Sequence, residues 1–357
     1  MRSVVVITNM PSPYQAHLFD LVAADGRVTL RVIYERMRAA DRAWSAPPLA
    51  HEHACGRNAP FERLEQWVRD SDLCIFGGYR DPTVRRLLKL RRATRRPFVF
   101  WGERFGFEMP PALGALYRLW AMRAFHASDS EMWGMGEMAV ASYRREFGRR
   151  RRYRNIPYTS DLSGFLAIAR EHVETRAPRL LFSGSLIARK GADLTVAALE
   201  RILADGVAIE AIFVGDGPLR PQAEQLARRY PGRVELIDFT QMKALPEVYA
   251  RADVLLAPSR HDGWGLVVIE AMAAGMPVLA SDRTGAAVER VTHECGWLIP
   301  AGDAIALERA LREIARLPIA RLRAMGAEAR TLGRAYTGEA GRDRLIEAID
   351  RCLAGAL

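Results

Sequence analysis

Residues 259–281 have the sequence SRHDGWGLVVIEAMAAGMPVLAS, and this stretch is more informative about fold and chemistry than any other part of the chain. The apolar run that begins near Gly265 predicts a helix. Gly275 and Pro277 would end it, because glycine suits the C-terminal turn and proline cannot continue a helix. Pro277–Ser281 is then typical of a short buried strand. The stretch therefore predicts a turn, a helix and a strand in succession, one step of an alternating α/β chain.

Two carboxylates flank the predicted turn, Asp262 before it and Glu270 about one and a half helical turns beyond it. A glycine turn at a helix N-terminus offers free backbone N–H groups and the positive end of a dipole, which together bind phosphate. We expect the amides of Gly265, Leu266 and Val267 to hold a distal phosphate. An anion site beside two acids suits a ligand that carries both phosphates and hydroxyls, as a nucleotide-sugar does.

The chain has 357 residues, which predicts two domains, and 49% hydrophobic with 26% charged residues predicts a filled core and a soluble surface. Its cysteines have no paired spacing, which argues against a disulfide framework or a zinc site and favours a reducing cytoplasm. We find no metal-ligand cluster with credible spacing. No apolar run reaches membrane-spanning length, and the apolar run at the N-terminus is too short for a signal peptide.

The net charge of +10 is unevenly distributed. Residues 1–160 hold 27 of the 52 Lys and Arg but 16 of the 42 Asp and Glu, a net charge of +11. The arginines crowd residues 85–96 and 144–154, and such a surface attracts anionic lipids, acidic glycans or nucleic acid. The alternative is a solvated arginine-rich face with no partner. Nucleic acid is disfavoured, because the clusters lack interleaved aromatic residues and any known motif.

Short apolar runs alternate with helical patterns along the chain, which predicts parallel sheets covered by helices on both faces. Residues 149–163 have no clear period and are predicted to join two domains. The tail, Asp303–Ala356, is predicted to be helical. In the first half we predict strands at Val4–Thr8, Val28–Tyr34, Asp72–Gly77 and Pro97–Trp101, and long helices at Ala112–Phe125 and Glu131–Phe147.

Five segments of the second half carry a family resemblance: FSGSLIARKG at 182–191, FVGDGPL at 213–219, YARADVLLAPS at 249–259, the stretch at 259–281, and GWLIPAGD at 296–303. In this order and spacing they resemble the donor-binding domain of the retaining nucleotide-sugar glycosyltransferases of family four, which have the GT-B fold. The resemblance covers residues 179–303 strongly. The first half matches loosely, mainly at residues 9–14 and 100–103.

The resemblance implies an α/β fold of two facing Rossmann-like domains, each a parallel sheet wrapped by helices. Residues 1–160 would form the N-terminal acceptor-binding domain and residues 161–335 the C-terminal nucleotide-sugar-binding domain. Residues 336–357 would be a helix that returns to the first domain. Ligands of such folds bind at the carboxyl ends of the strands, so residues 11–17 and Glu103 are candidates for the acceptor side.

The family has two glutamates separated by seven residues, and here the first position is Asp262 and the second is Glu270. The resemblance implies that Glu270 accepts hydrogen bonds from the ribose hydroxyls and that Asp262 contacts the donor sugar. The alternatives are a surface glutamate on an amphipathic helix and an ordinary turn aspartate. The apolar neighbours of Glu270 favour burial, and a buried carboxylate needs a partner.

Lys190 matches the lysine that holds the diphosphate in this family, where negative charge on the leaving group needs a fixed donor or cation. Ser185 stands where the family often has an arginine, and Arg189 is our hypothesis for the missing guanidinium. Phe239 follows a predicted strand at the place where the nucleotide base usually rests. The alternative for Arg189 and Lys190 is that both solvate a loop.

The resemblance implies a retaining, metal-independent glycosyltransferase with no cofactor besides its donor substrate. It would move a sugar from a nucleoside-diphosphate-sugar to a hydroxyl of a glycan or lipid-linked acceptor, in the cytoplasm or at the inner face of an anionic membrane. A GT-B sugar-nucleotide epimerase would use the same donor site without an acceptor. A non-catalytic nucleotide- or glycan-binding subunit is left open by the departures at Asp262 and Ser185.

Overall fold

The structure is a computed structural model that describes residues 1–38, 44, 47–106, 111–170 and 176–355. The chain divides into two compact units, Met1–Ser160 with Gly338–Leu357, and Asp161–Thr337. Each unit contains one sheet, and every strand pair in both sheets is parallel. The central strands are short apolar runs with both faces buried, as parallel sheets require. The α/β prediction of two helix-wrapped parallel sheets is confirmed.

The first unit has a seven-stranded sheet of order β3-β2-β1-β4-β5-β6-β7. Its strands are β1 (Arg2–Thr8), β2 (Val28–Tyr34), β3 (Glu52–Cys55), β4 (Leu73–Phe76), β5 (Phe98–Gly102), β6 (Met132–Gly134) and β7 (Tyr153–Asn155). Its helices up to residue 160 are α1 (Pro13–Asp25), α2 (Phe61–Asp70), α3 (Pro82–Ala93), α4 (Pro111–Ala121), α5 (Arg123–His126) and α6 (Glu137–Phe147). The four strands predicted in this half are confirmed as β1, β2, β4 and β5.

Two helix predictions in the first unit were wrong in part. The predicted helix Glu131–Phe147 begins only at Glu137, because Gly136 has a φ of 97° and residues 132–134 form β6. The predicted helix Ala112–Phe125 is two helices, α4 and α5, separated at Met122. Strands β3 and β7 were not predicted. Both are short, partly exposed edge strands without an apolar run. Strand β7 lies within residues 149–163, which the sequence predicts to be the junction between two domains.

The second unit has a six-stranded sheet of order β10-β9-β8-β11-β12-β13. Its strands are β8 (Arg179–Ser183), β9 (Glu210–Val214), β10 (Val234–Ile237), β11 (Val254–Ala257), β12 (Val278–Ser281) and β13 (Gly296–Ile299). Its helices are α7 (Ser163–Leu166), α8 (Ala192–Ala204), α9 (Arg220–Arg229), α10 (Leu245–Ala250), α11 (Leu266–Ala273), α12 (Gly285–Arg290), α13 (Ala304–Arg316) and α14 (Ile319–Gly333). The strand order reverses between β8 and β11, and α/β sheets bind ligands beyond the strand ends at such a point.

The tail is helical as predicted, through α13, α14 and a final helix α15 (Gly338–Ala354); Ala356 lies outside the described residues. Helix α15 is grouped with the first unit and packs against α1. Small residues permit this close approach. A Cβ atom at Gly341 would lie 2.3 Å from Oγ1 of Thr159, and one at Gly338 would lie 2.4 Å from Nε2 of His17. The chain therefore returns to its first unit after completing the second.

Candidate functional site

The loops that follow β8 and β11 meet at the carboxyl edge of the second sheet. The two strands are paired in register, with Leu180 opposite Val254 and Phe182 opposite Leu256, so the two loops leave the sheet side by side. Residues 184–191 form the first loop and residues 258–265 the second. The amide of Arg260 donates to the carbonyl of Arg189 at 2.8 Å and ties the loops together.

This arrangement brings together two of the predicted site residues. The ammonium Nζ of Lys190 lies 2.5 Å from Oδ2 of Asp262, although the residues are 72 positions apart. The side chains are 23% and 12% exposed, so both charges are partly shielded but reachable from solvent. An ammonium held in this way is a fixed positive charge at the switch point of the sheet, where an anionic ligand would be stabilised.

The backbone around Asp262 is held by the segment that follows β12. The amide of Asp262 donates to the carbonyl of Arg283 at 3.0 Å, and the carbonyl of Asp262 accepts from the amide of Gly285 at 3.3 Å. The neighbouring Trp264 is buried and packs against Tyr336, with ring centroids 5.6 Å apart and an angle of 43° between the ring planes. Asp262 is thus buried on a turn that is held from two sides, a more restrained position than that of an ordinary loop aspartate.

Gly265 forms the N-cap of α11 with a φ of 88°, a left-handed conformation that favours glycine. A Cβ atom here would lie 2.7 Å from Cγ2 of Thr284 and 3.4 Å from Oδ2 of Asp262. Leu266 and Val267 open the helix and are partly exposed. Amides in a first helical turn lack an intrahelical acceptor and point along the positive end of the dipole. The three predicted phosphate-binding amides therefore lie at the start of α11, whose N-cap Gly265 is in contact distance of the Asp262 carboxylate.

Glu270 lies on α11 among buried apolar residues and is 6% exposed, which excludes the surface-glutamate alternative. Burial raises the pKa of its carboxyl to about 7, and a hydrogen bond from Tyr249 acts in the opposite direction. The hydroxyl of Tyr249 donates to Oε2 of Glu270 at 3.1 Å. The carboxylate can accept further hydrogen bonds besides the one from Tyr249. A ligand hydroxyl would replace some of the hydrogen bonds to water that the carboxylate loses on burial.

Tyr249 is a site residue that sequence reasoning missed. It belongs to α10, is fully buried, and packs edge-on against Phe165 with ring centroids 4.9 Å apart. Tyr249 opens the segment YARADVLLAPS, which contributes to the family resemblance, but the segment alone assigns no role to this tyrosine. A tyrosine in an apolar segment ahead of a buried strand was the available signal, but its contact with Glu270 depends on how α10 and α11 pack.

The remaining predicted residues take other positions. The guanidinium of Arg189 donates to the carbonyl of His261 at 3.0 Å, so it binds the same loop as Lys190 but contacts main chain. Ser185 is exposed in the loop after β8. Phe239 is 39% exposed just beyond β10. The Lys190–Asp262 ion pair involves none of these three side chains.

A metal site would need a group of three or more His, Cys, Asp or Glu side chains placed to hold an ion. Across the described residues there is no such group. All four cysteines are described and are free thiols: Cys55, Cys74, Cys295 and Cys352.

Comparison with known proteins places the site in a family domain. Residues 167–332 match the family model described as glycosyl transferases group 1. The GDP-mannose-dependent alpha-(1-6)-phosphatidylinositol dimannoside mannosyltransferase of Mycobacterium tuberculosis is 35% identical over 151 residues, which are 40% of this chain and 38% of that protein. A GDP-mannose-dependent monoacylated alpha-(1-6)-phosphatidylinositol monomannoside mannosyltransferase of Corynebacterium glutamicum is 26% identical over 55% of each chain. The chain thus spans about two fifths to about half of these relatives.

Solved structures are similar over nearly the whole chain. Sucrose-phosphate synthase from Thermosynechococcus elongatus superposes with a TM-score of 0.77 at 21% identity, over 99% of this chain and 100% of that one. HepE of Anabaena, in complex with UDP and glucose, superposes with a TM-score of 0.74 at 17% identity, over 98% and 100%. At these identities the likeness shows the fold. The chain therefore contains a glycosyl transferases group 1 domain over residues 167–332 and has the GT-B fold, which confirms the resemblance to the family-four enzymes that its motifs predict.

Proposed function

We propose that this chain transfers a sugar from a nucleoside-diphosphate-sugar to a hydroxyl group of a glycan or lipid-linked acceptor. The observation that carries the proposal is the 2.5 Å ion pair between Lys190 and Asp262. It puts an ammonium and a carboxylate beside the first turn of α11, at the point where the sheet order reverses, and the carboxylate would face the donor sugar. A diphosphate needs the cation and the helix amides, and a sugar ring needs the carboxylate.

Glu270 would receive the ribose. Hydroxyl groups donate to carboxylates, and a buried carboxylate whose pKa is about 7 gains more from such donors than a solvated one does. Tyr249 would fix the orientation of Glu270 by donating to one of its oxygens. Phe239 offers an exposed aromatic face for a base, and Arg189 a guanidinium one residue from Lys190.

We propose retention of the anomeric configuration, with the departing phosphate assisting deprotonation of the acceptor hydroxyl. Asp262 would position the sugar by accepting hydrogen bonds from its hydroxyls and would not act as a nucleophile. Lys190 and the helix amides would take the place of a metal ion in stabilising the leaving diphosphate. The first unit would bind the acceptor. Its net positive charge supports an acceptor at an anionic membrane surface on the cytoplasmic side.

The experiment that tests the proposal has two stages. A thermal-shift screen of GDP- and UDP-sugars should find a donor that raises the melting temperature, since a ligand that binds only the folded state stabilises it. The bases come from the mannosyltransferase names and from the HepE complex. Products with that donor and a lipid or glycan acceptor are then analysed by NMR, with and without EDTA. A new glycosidic bond of unchanged anomeric configuration, formed in EDTA, is expected.

Incubation with the donor alone separates the alternatives. Epimerised donor would overturn the transferase proposal, and absence of turnover with every donor that binds would favour a binding subunit.

A further inference from the structure

The outward face of α4 is apolar. Four of its residues are large and more than half exposed: Leu113 at 56%, Leu116 at 66%, Leu119 at 53% and Trp120 at 53%. Together with the exposed Ala112 and Ala115 they occupy one side of the helix, at the spacing of three and four residues that defines a helix face. Helices of globular proteins normally turn such a face inward. An exposed apolar patch of this kind marks an interaction surface.

The opposite side of α4 anchors the helix in its unit. Gly114 and Ala121 are buried, and the guanidinium of Arg118 donates to a carboxylate oxygen of Glu146 on α6 at 3.0 Å. That ion pair is mostly shielded, with side-chain exposures of 16% and 11%. The polar contact of α4 therefore points into the protein while the leucines point out. The apolar face is held outward by packing on its other side.

Cations surround the apolar face. The guanidinium of Arg85 on α3 lies 5.4 Å from the ring centroid of Trp120, and that of Arg123 lies 5.9 Å from it. Arg80 lies 5.9 Å from the ring of Tyr117. Neither α3 nor α4 contains an acidic residue. Three further exposed side chains of α3 extend this positive rim: Arg86, Lys89 and Arg92.

We propose that α4 lies flat in the interface of an anionic bilayer, with Leu113, Leu116 and Trp120 at the acyl boundary and the cations of α3 at the lipid phosphates. Leucine and tryptophan on one face with arginine and lysine beside them are what interfacial helices use. A second copy of this chain is a poor occupant, because it would bring two positive rims together. Among the described residues, no helix has the length and hydropathy of a membrane span.

This surface specifies the membrane association proposed above and is independent of the sugar-transfer chemistry. The test is co-sedimentation of the full chain with phosphatidylcholine vesicles that contain about one third phosphatidylglycerol, against vesicles of phosphatidylcholine alone. The variants are Leu113→Ser/Leu116→Ser and Arg85→Gln/Lys89→Gln. The matched control is Ile305→Ser, because Ile305 is 78% exposed on α13 in the other unit. All replaced residues are exposed, and unchanged melting temperatures confirm that the variants fold.

The parent chain and Ile305→Ser are expected to bind anionic vesicles equally and neutral vesicles more weakly. The double serine variant should lose affinity by about tenfold or more, since buried leucine area drives insertion. The double glutamine variant should lose affinity and part of the salt dependence.

Three results would overturn the proposal: a parent that binds no vesicles, a serine variant that binds as the parent does, or a concentration-dependent dimer in light scattering that the serine variant abolishes. No donor is present, so failure here leaves the donor site untouched.

Discussion

The ammonium of Lys190 and the carboxylate of Asp262 form an ion pair at 2.5 Å across two loops that are 72 residues apart in the chain. The pair exists because β8 and β11 are neighbours in the sheet, and because Arg260 and Arg189 join the loops through their main chains. In the unliganded protein the lysine neutralises the aspartate. A bound diphosphate would take over the ammonium and leave the carboxylate free for sugar hydroxyls.

Replacing Lys190 with methionine should weaken donor binding by about tenfold to a hundredfold, because a charge-assisted contact to phosphate is lost. Isothermal titration with the donor found in the thermal-shift screen measures this directly. Lys243→Met is the matched control, since Lys243 is an exposed lysine of the same unit. The affinity of this control variant for the donor should equal that of the parent. Equal affinity in the Lys190 variant would remove this lysine from the donor site.

Replacing Asp262 with asparagine keeps the size of the side chain and removes its charge. We expect turnover to fall by on the order of a hundredfold while donor affinity changes little, because sugar positioning acts mainly in the transition state. Asp282→Asn is the control, since Asp282 is 55% exposed in the loop that follows β12. A variant that loses binding and turnover in equal measure would instead assign Asp262 to ground-state binding.

The sequence predicts the strands and helices that contain an uninterrupted run of apolar residues. Strands such as β1 and β11 are continuous apolar runs, and α11 is apolar between two glycines, so their positions follow from composition and pattern. Strand β7 has the sequence Tyr-Arg-Asn, which carries no strand signal, and it forms only because β6 offers an edge with which to pair. The separation at Met122 is likewise not predicted, because no glycine or proline interrupts the helical pattern there.

In the candidate site too, some features follow from the sequence and others depend on how the chain folds. Lys190, Asp262 and Glu270 were found because they stand in motifs, but the contact between Lys190 and Asp262 depends on the crossover that makes β8 and β11 neighbours. The hydrogen bond from Tyr249 to Glu270 joins two helices whose packing no spacing encodes. The apolar face of α4 was missed because an apolar helix predicts burial, and only the structure shows which side faces solvent.

Glu270 should make stability depend on pH. Its pKa rises from 4.5 to about 7 on folding, so the folded chain binds more protons than the unfolded chain between these values. The free energy of unfolding therefore falls as the pH rises through this window and is constant above it. Glu270→Gln should be more stable than the parent at about pH 8, by roughly 1–3 kcal/mol, with a difference that shrinks towards pH 5.

Thermal melting across this pH range measures the effect, with Glu328→Gln as the exposed control in the same unit. Since ligand hydroxyls favour the ionised carboxylate, donor affinity of the parent should also rise between about pH 6 and pH 8 and should not do so in Glu270→Gln. A stability difference that grows towards low pH would show that the carboxyl is stabilised in its charged form, contrary to its burial.

Gly265 tests whether the entry to α11 must remain glycine. Both Gly265 and Gly302 have left-handed backbones, with φ of 88° and 84°, but a Cβ at Gly302 would meet nothing within 4 Å whereas one at Gly265 would lie 2.7 Å from Thr284. Gly302→Ala should cost about 1 kcal/mol from the backbone conformation alone. Gly265→Ala should cost roughly 2–3 kcal/mol and should also weaken donor binding, because relieving the clash displaces the amides of the first turn.

Chemical denaturation and donor titration of the two variants measure both effects. If the two variants lost equal stability and bound donor equally well, the helix entry would have room to adjust, and the first-turn amides would not be the phosphate site.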